Sequence, residues 1–264
     1  MMKIAVIGAG AMGSLFGALL TEAGQQVTLL DVRRDHVDAV NADGLIVEKE
    51  ETRRRVRIRA TQDADSIGST DLCIVFVKST QTAAVAQTVT RLAGPSARVL
   101  TLQNGMGNAE ALAEAVDPAR IIAGTTSHGA TFLGPGAIRH AGSGDTVLGP
   151  WSEQGMTGAK AVAEVFDKAG IATRVEARVR SVMWAKLFIN VGINALAAIL
   201  RVPNGALVQA PPCEAIMAKA VAEAVAVAER LHINLPYDDP LARVKLVCRN
   251  TAENRASMLQ DVLK

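Results

Sequence analysis

The chain has 264 residues, 49% of them apolar and 20% charged, with a formal net charge of +2. That is a globular composition with room for one large or two modest domains. The small net charge and 3% aromatic content exclude the basic, base-stacking surface of a nucleic-acid binder and give no electrostatic reason for a membrane partner. Cys73, Cys213 and Cys248 are odd in number and far apart, so they set up neither a disulfide framework nor a metal site, and a reducing cytoplasm is the expected compartment.

From the N-terminus, Lys3 to Ile7 reads as a buried strand, the apolar run Met2 to Ile7 is too short for the core of a signal peptide, and Met12 to Ala23 reads as a helix. Val27 to Leu30 is the next strand and His36 to Asn41 a short helix. Leu45 to Glu48 and Val56 to Arg59 alternate in polarity around a charged turn, which predicts a hairpin. Leu72 to Val77 is a strongly apolar strand, followed by a helix from Thr80 to Leu92. Val99 to Leu102 and Ile121 to Ala123 continue a sheet. Phe132 to Leu148, rich in glycine, reads as its antiparallel extension, and a helix over Ala159 to Ala169 leads to a last strand, Ile171 to Val175. Beyond Arg178 only helical segments are expected, over residues 180–200, 213–231 and 240–263. The expected class is therefore α/β: a doubly wound, Rossmann-type domain over residues 1–176 and an all-helical domain over residues 177–264. The apolar stretch Leu187 to Leu200 carries Asn190 and Asn194 and is shorter than the roughly 20 residues a membrane span needs.

Gly8-Ala9-Gly10-Ala11-Met12-Gly13 follows the first strand and opens the first helix. A second strand comes next and ends at Asp31, close to the ~20-residue spacing of the dinucleotide fingerprint. In that fingerprint the first glycine makes the turn, the second lets a pyrophosphate approach the backbone, and the third lets the helix pack on the sheet. The helix N-terminus offers N–H groups and partial positive charge to the phosphates. A carboxylate at Asp31 suits the ribose hydroxyls of NAD and repels the 2′-phosphate of NADP. Arg33 and Arg34 follow and could bind that phosphate instead, so NADP stays open beside a preference for NAD.

The run from Val182 to Leu196 is apolar except for Lys186, Asn190 and Asn194, which recur at about one helical turn and form a single polar stripe. A lysine and two amides on a buried helix need partners. One possibility is that the lysine snorkels to solvent while the amides cap other segments. The regular spacing just beyond the expected domain junction, where ligand clefts form, points instead to a polar substrate.

With these motifs in hand the sequence resembles the ketopantoate reductase (2-dehydropantoate 2-reductase) family over nearly its whole length. The resemblance rests on the loop at 8–13, on Lys78, on Gln103-Asn104-Gly105-Met106-Gly107-Asn108 and on Gly124 to Ala130. It continues through Lys186, Asn190 and Asn194, through Pro203-Asn204-Gly205, and through Thr251 to Asp261. It implies reduction of 2-dehydropantoate to (R)-pantoate by NAD(P)H, a step of pantothenate biosynthesis, in a cytoplasmic enzyme, with a homodimer expected. By the same resemblance Lys186 is the general acid, and Asn190, Asn194, Asn204 and Ser257 bind substrate. Lys78, Asn104 and Ala130 line the nicotinamide end of the cofactor, with Asn104 also reaching substrate. Gly8, Ala9, Gly10, Ala11, Met12, Gly13, Asp31 and Arg33 hold the rest of the cofactor, and no metal is implied. His128 and His140 are expected to be structural.

Two departures bear on these expectations. The family's arginine at the end of the second strand is replaced by Val32 behind Asp31, as in relatives that use NAD on other 2-keto acids. The family pattern also continues past Lys264 with a substrate-contacting glutamate that has no counterpart here, and an omitted tail is the expectation. An NAD-dependent dehydrogenase of another D-2-hydroxy acid and a non-catalytic dinucleotide sensor are the alternatives. An intact Lys186–Asn190–Asn194 stripe argues against the sensor.

Overall fold

The computed structural model describes residues 1–263. Its first strands are apolar runs long enough to be covered on both faces, the signature of parallel pairing. β1 (Lys3–Ile7) leads through α1 (Ala11–Glu22) to β2 (Gln26–Leu30), and α2 (Arg34–Asp43) follows. β3 (Leu45–Lys49) and β4 (Thr52–Val56) form the hairpin, and β5 (Arg59–Thr61) returns to the main sheet. β6 (Thr70–Val75), α3 (Thr82–Leu92), β7 (Ala93–Thr101), α4 (Asn108–Ala113) and β8 (Ile121–Thr126) complete the parallel part. β9 (Gly129–Gly134), β10 (Ala137–Gly142), β11 (Thr146–Pro150), α5 (Met156–Lys168) and β12 (Thr173–Val175) close this region.

The main sheet runs β12-β11-β8-β7-β6-β1-β2-β5, and β6, β1 and β2 pair in parallel. The chain goes outward from β1 in one direction through β2 and β5, then restarts on the other side at β6. That reversal makes the carboxyl ends of β1 and β6 the switch point where doubly wound sheets bind ligands. A second sheet, β4-β3-β10-β9, lies across α1, which touches strands of both sheets. Held between two sheets, α1 buries Leu15, Phe16, Ala18 and Leu20, so little of its surface is left for solvent.

The sheet assignment differs from the sequence expectation in two places. The expected strand Val56 to Arg59 is divided. Val56 ends β4, Arg57 is exposed, Ile58 is buried beside Gly17 of α1, and Arg59 opens β5. The expected antiparallel extension over 132–148 is also divided. β9 and β10 belong to the second sheet, where Ile138 and Phe132 face the core. Only β11 joins the main sheet, antiparallel to β8, with all its residues buried between β8 and β12.

His128 and His140 stack where this hairpin begins, with ring centroids 5.4 Å apart and Nδ1 of His128 3.3 Å from Nε2 of His140. One of those nitrogens must donate and the other accept, so the pair cannot keep this bond with both rings charged. Burial lowers both pKa values, helped for His128 by His140 and for His140 by Lys49. Burial also lowers His36. Between the folded values and the usual ~6.5 the unfolded chain binds more protons, so stability falls with falling pH in that window. The melting temperature should therefore drop as pH is lowered from about 7.5 to about 5.5, and His128→Asn should flatten the drop. A melting temperature unchanged across that range would contradict this reading.

The chain divides into two compact units between Val179 and Arg180, three residues past the expected boundary. The second unit is helical: α6 (Val179–Leu200), α7 (Pro211–Arg230), α8 (Pro240–Asn250) and α9 (Ser257–Val262). Pro211 and Pro240 occupy first-turn positions, where a missing N–H is harmless, and the Asp239 carboxylate caps α8 by accepting from Ala242 N–H at 2.8 Å. The expected single helix over 240–263 is broken at residues 251–256. There the carbonyls of Ala252 and Asn254 accept from Gly205 and Asn204 N–H at 3.0 Å each, which takes them out of any helical ladder. Lys264, the last residue of the expected domain, lies outside the described residues.

α6 begins one residue before the expected 180–200 and so extends well ahead of the apolar stretch Leu187 to Leu200. Among the described residues it is the one helix long and apolar enough to cross a membrane by length and composition. Its packing within the unit is that of a core helix. Gly192 lets Val244 of α8 and Met217 and Val221 of α7 approach closely, and Met183, Trp184, Phe188 and Ile193 are buried. Burial is not complete around the helix: Ile199 is 78% exposed.

Candidate active site

The glycine loop sits at the end of β1. Gly8 has φ +93°, a left-handed conformation that other residues rarely adopt, and a side chain there would strike the Val77 nitrogen at 2.7 Å. A Cβ on Gly13 would lie 2.0 Å from the Gly8 carbonyl oxygen, so α1 can start directly under the loop only without one. Gly10 faces open space, with no atom of the described residues beyond its chain neighbours within 4 Å of where its Cβ would be. No side chain caps α1, which leaves its first-turn N–H groups for an anion. Asp31 accepts from Ala9 N–H at 2.7 Å and from Arg33 N–H at 2.9 Å. It is thus tied into the loop at the end of β2. These features fit a dinucleotide: an uncapped helix start, an open approach at Gly10 and a carboxylate anchored beside them.

Arg33 is engaged elsewhere. Its guanidinium pairs with Asp35 at 3.0 Å and stacks 4.4 Å over the Phe132 ring. Arg34 is exposed and pairs with Asp38 at 3.4 Å, and Val32 is 84% exposed.

Lys78 and Asn104 follow β6 and β7 and are exposed on neighbouring loops. A hydrogen-bond network joins them. The Gln103 side-chain amide donates to the Val77 carbonyl at 2.7 Å and to Thr82 Oγ1 at 2.8 Å, and Thr82 Oγ1 donates to Asn108 Oδ1 at 2.9 Å. Ser79 Oγ donates to the Asn104 carbonyl at 3.0 Å. Ala130 lies opposite His140 in the β9–β10 ladder.

In the helical unit Lys186, Asn190 and Asn194 follow one another at single-turn spacing on α6, each partly buried. Burial lowers the Lys186 ammonium from its ordinary 10.5 to about 8, because the charged form loses hydration. The neighbouring Ala185 carbonyl accepts from Tyr237 Oη at 2.9 Å, which fixes the backbone beside the lysine. Asn194 Nδ2 comes within 3.5 Å of Ser257 Oγ, so the structure brings these two expected ligands together. Asn204 is tied instead to Thr251, its Nδ2 donating to Thr251 Oγ1 at 2.9 Å. Its Oδ1, on a residue 7% exposed, has no hydrogen-bond partner among the described residues, an acceptor that a donor would satisfy.

The family model described as ketopantoate reductase PanE/ApbA matches residues 4–153, and its C-terminal companion matches residues 178–264. The chain belongs to the ketopantoate reductase family. A 2-dehydropantoate 2-reductase of Halobacterium salinarum is 40% identical over 262 residues, covering 99% of this chain and 86% of that protein. One from Pyrococcus horikoshii is 34% identical over 262 residues, covering 99% and 84%. Among solved structures, a PanE/ApbA family ketopantoate reductase from Ralstonia eutropha superposes with a TM-score of 0.89 at 34% identity, covering 98% of this chain and 85% of that one. A D-mandelate dehydrogenase solved with NADH and anilino(oxo)acetate superposes with a TM-score of 0.92 at 27% identity, covering 99% and 85%.

For this member of the ketopantoate reductase family, sequence reasoning missed the bracing of the site. Tyr237, the sole tyrosine, lies in a turn-rich stretch with no periodicity to mark it. Ser14 and His36 sit on two different helices and meet only in space, at 3.3 Å. The network through Gln103 lay within a recognised motif, but its partners Val77 and Thr82 come from the preceding loop and helix.

Proposed function

We propose that this protein reduces 2-dehydropantoate to (R)-pantoate with NAD(P)H, Lys186 acting as general acid. The observation that carries this is the Lys186–Asn190–Asn194 stripe, with the lysine lowered to about 8. A bound reduced nicotinamide supplies the hydride. As the keto carbon accepts it, negative charge grows on the carbonyl oxygen. An ammonium within hydrogen-bond reach stabilises that charge and gives up the proton. A lysine near 8 remains mostly protonated at neutral pH and releases its proton more readily than an ordinary one. Asn190 and Asn194 supply donors and acceptors for the substrate hydroxyl, and the unpartnered Oδ1 of Asn204 and the Ser257 hydroxyl extend the same polar set toward hydroxyl and carboxylate. The loop at 8–13 with Asp31 takes the dinucleotide, and Lys78, Asn104 and Ala130 take its nicotinamide end.

Asp31 supports NADH over NADPH. Its carboxylate is anchored at the end of β2, where a 2′-phosphate would meet its charge, and Arg33 is already paired with Asp35. Three free thiols support a reducing cytoplasm, and exposed Ile216, Val227 and Leu231 on and after α7 support a homodimer, which sedimentation velocity would check.

The test is steady-state turnover of a panel of 2-keto acids with NADH and with NADPH. The expected result is the highest kcat/KM for 2-dehydropantoate, with NADH ahead of NADPH. A clear NADPH preference would refute the cofactor choice, preference for another 2-keto acid would refute the substrate, and no turnover of any would refute the enzyme.

A further inference from the structure

His36 is completely buried, although it belongs to the exposed-looking segment that follows Arg33 and Arg34. Its Nδ1 accepts from Gly136 N–H at 3.0 Å, so the neutral ring must carry its proton on Nε2. That nitrogen is 3.3 Å from Ser14 Oγ, to which it donates. Ser14 Oγ in turn donates to the Ala9 carbonyl at 2.8 Å, and Ala9 N–H donates to Asp31. The bonds from His36 to Ala9 run in one direction, Ser14 Oγ accepting from the ring and donating to the carbonyl. The result ties both backbone groups of Ala9, in the middle of the glycine loop, to fixed points: the N–H to β2 and the carbonyl to the β9–β10 turn.

We propose that His36 is a positioning residue for the dinucleotide loop. As its neutral Nε2–H tautomer it locks the Ala9 carbonyl to the β9–β10 turn through Ser14, so dinucleotide binding weakens when His36 takes a second proton. The inference rests on the dinucleotide assignment made above for residues 8–13.

A proton on Nδ1 would point straight at the Gly136 N–H, leaving two donors facing each other. Gly136 has little freedom to turn away. Its carbonyl accepts from Ile46 N–H at 2.8 Å, and its φ is +71° with Ala39 packed against it. The ring must then shift, and Ser14 loses its donor. Charged groups facing His36 are Asp31 and Asp35, which favour the cation, and Arg33, which opposes it. Burial outweighs them and keeps the ring neutral near pH 7. Ser14 from α1 and Phe132 and Gly136 from the hairpin are uncharged, and the Phe132 ring lies 5.2 Å from His36.

The test is the dissociation constant of NADH, and in parallel of NADPH, measured by fluorescence from about pH 7.5 to about pH 5. In the unsubstituted protein Kd should rise about fivefold toward the acid end, the scale of one lost hydrogen bond. His36→Gln keeps a donor near the Nε2 position and does not titrate, so its profile should be flat. His36→Phe keeps the packing against Phe132 but neither bond, and should bind weakly with a flat profile. A merely structural histidine would not make Kd follow pH in this way. A flat profile in the unsubstituted protein, tighter binding at low pH, or the same slope in His36→Gln would overturn the proposal while leaving the dinucleotide assignment intact. Failure of either dinucleotide to bind at any pH would overturn the assignment and the role of His36 with it. A flat profile in the unsubstituted protein overturns the proposal even where a variant fails to fold.

Discussion

Lys186→Ala should lower kcat for 2-dehydropantoate by about 10²–10⁴-fold, the range expected when a positioned acid is removed, with little change in dinucleotide affinity. The lysine does two things in the proposed step. Its charge stabilises the oxyanion, and its proton completes the alcohol. Burial, which lowers it to about 8, makes the second easier without losing the first at neutral pH. The sign of the pH dependence follows. Reduction needs the protonated form, so kcat should fall as pH rises through about 8, and this alkaline limb should vanish in Lys186→Ala. Rapid-mixing measurement of dinucleotide oxidation at saturating substrate reads both effects. Turnover unchanged in the variant would remove Lys186 from the reaction.

The second large effect separates two glycines of the loop by what surrounds them. Gly10→Ala should weaken dinucleotide binding about 100-fold while leaving the melting temperature unchanged. Gly10 has φ −65°, which alanine adopts readily, and among the described residues no atom beyond its chain neighbours lies within 4 Å of the added methyl. The methyl occupies only the space through which a pyrophosphate would reach the α1 N-terminus. Losing one or two hydrogen bonds to a charged group, about 1.5–3 kcal/mol each, gives that factor at about 1.4 kcal/mol per tenfold. Gly13→Ala should cost both binding and stability. Its methyl would sit 2.0 Å from the Gly8 carbonyl oxygen, against backbone that cannot swing aside. Overpacking of that kind destabilises by about 1–3 kcal/mol, visible as a lower melting temperature. If Gly10→Ala melts early, or binds as tightly as before, the loop does not face a ligand at that point.

Much of this was legible along the chain because the relevant signals are local. The strand–glycine loop–helix order, Asp31 at the end of β2 and the one-turn spacing on α6 are each set by neighbours in sequence. Periodicity and turn chemistry act at that range. Boundaries were less legible. The hairpin over 129–142 has the alternation of any antiparallel pair, and nothing local says which sheet it will join. That choice was made by burial: the second sheet covers α1, while β11, buried throughout, needed both its edges paired inside the main sheet. The break at residues 251–256 was invisible for a similar reason, since the groups that compete for those carbonyls are Asn204 and Gly205, far away in sequence.

By itself, then, the sequence determined a doubly wound nucleotide fold, the glycine loop with Asp31, and a polar stripe headed by Lys186. Each follows from backbone geometry and helical phase, which neighbouring residues specify. Tertiary structure alone decided that burial brings Lys186 to about 8, that Arg33 is spent on Asp35 and Phe132, and that Asn204 keeps a bare acceptor. It also decided that His36 reaches across to Ser14 and Gly136. Desolvation and hydrogen-bond partnership depend on which distant segments arrive at the same place, and only the folded chain supplies that.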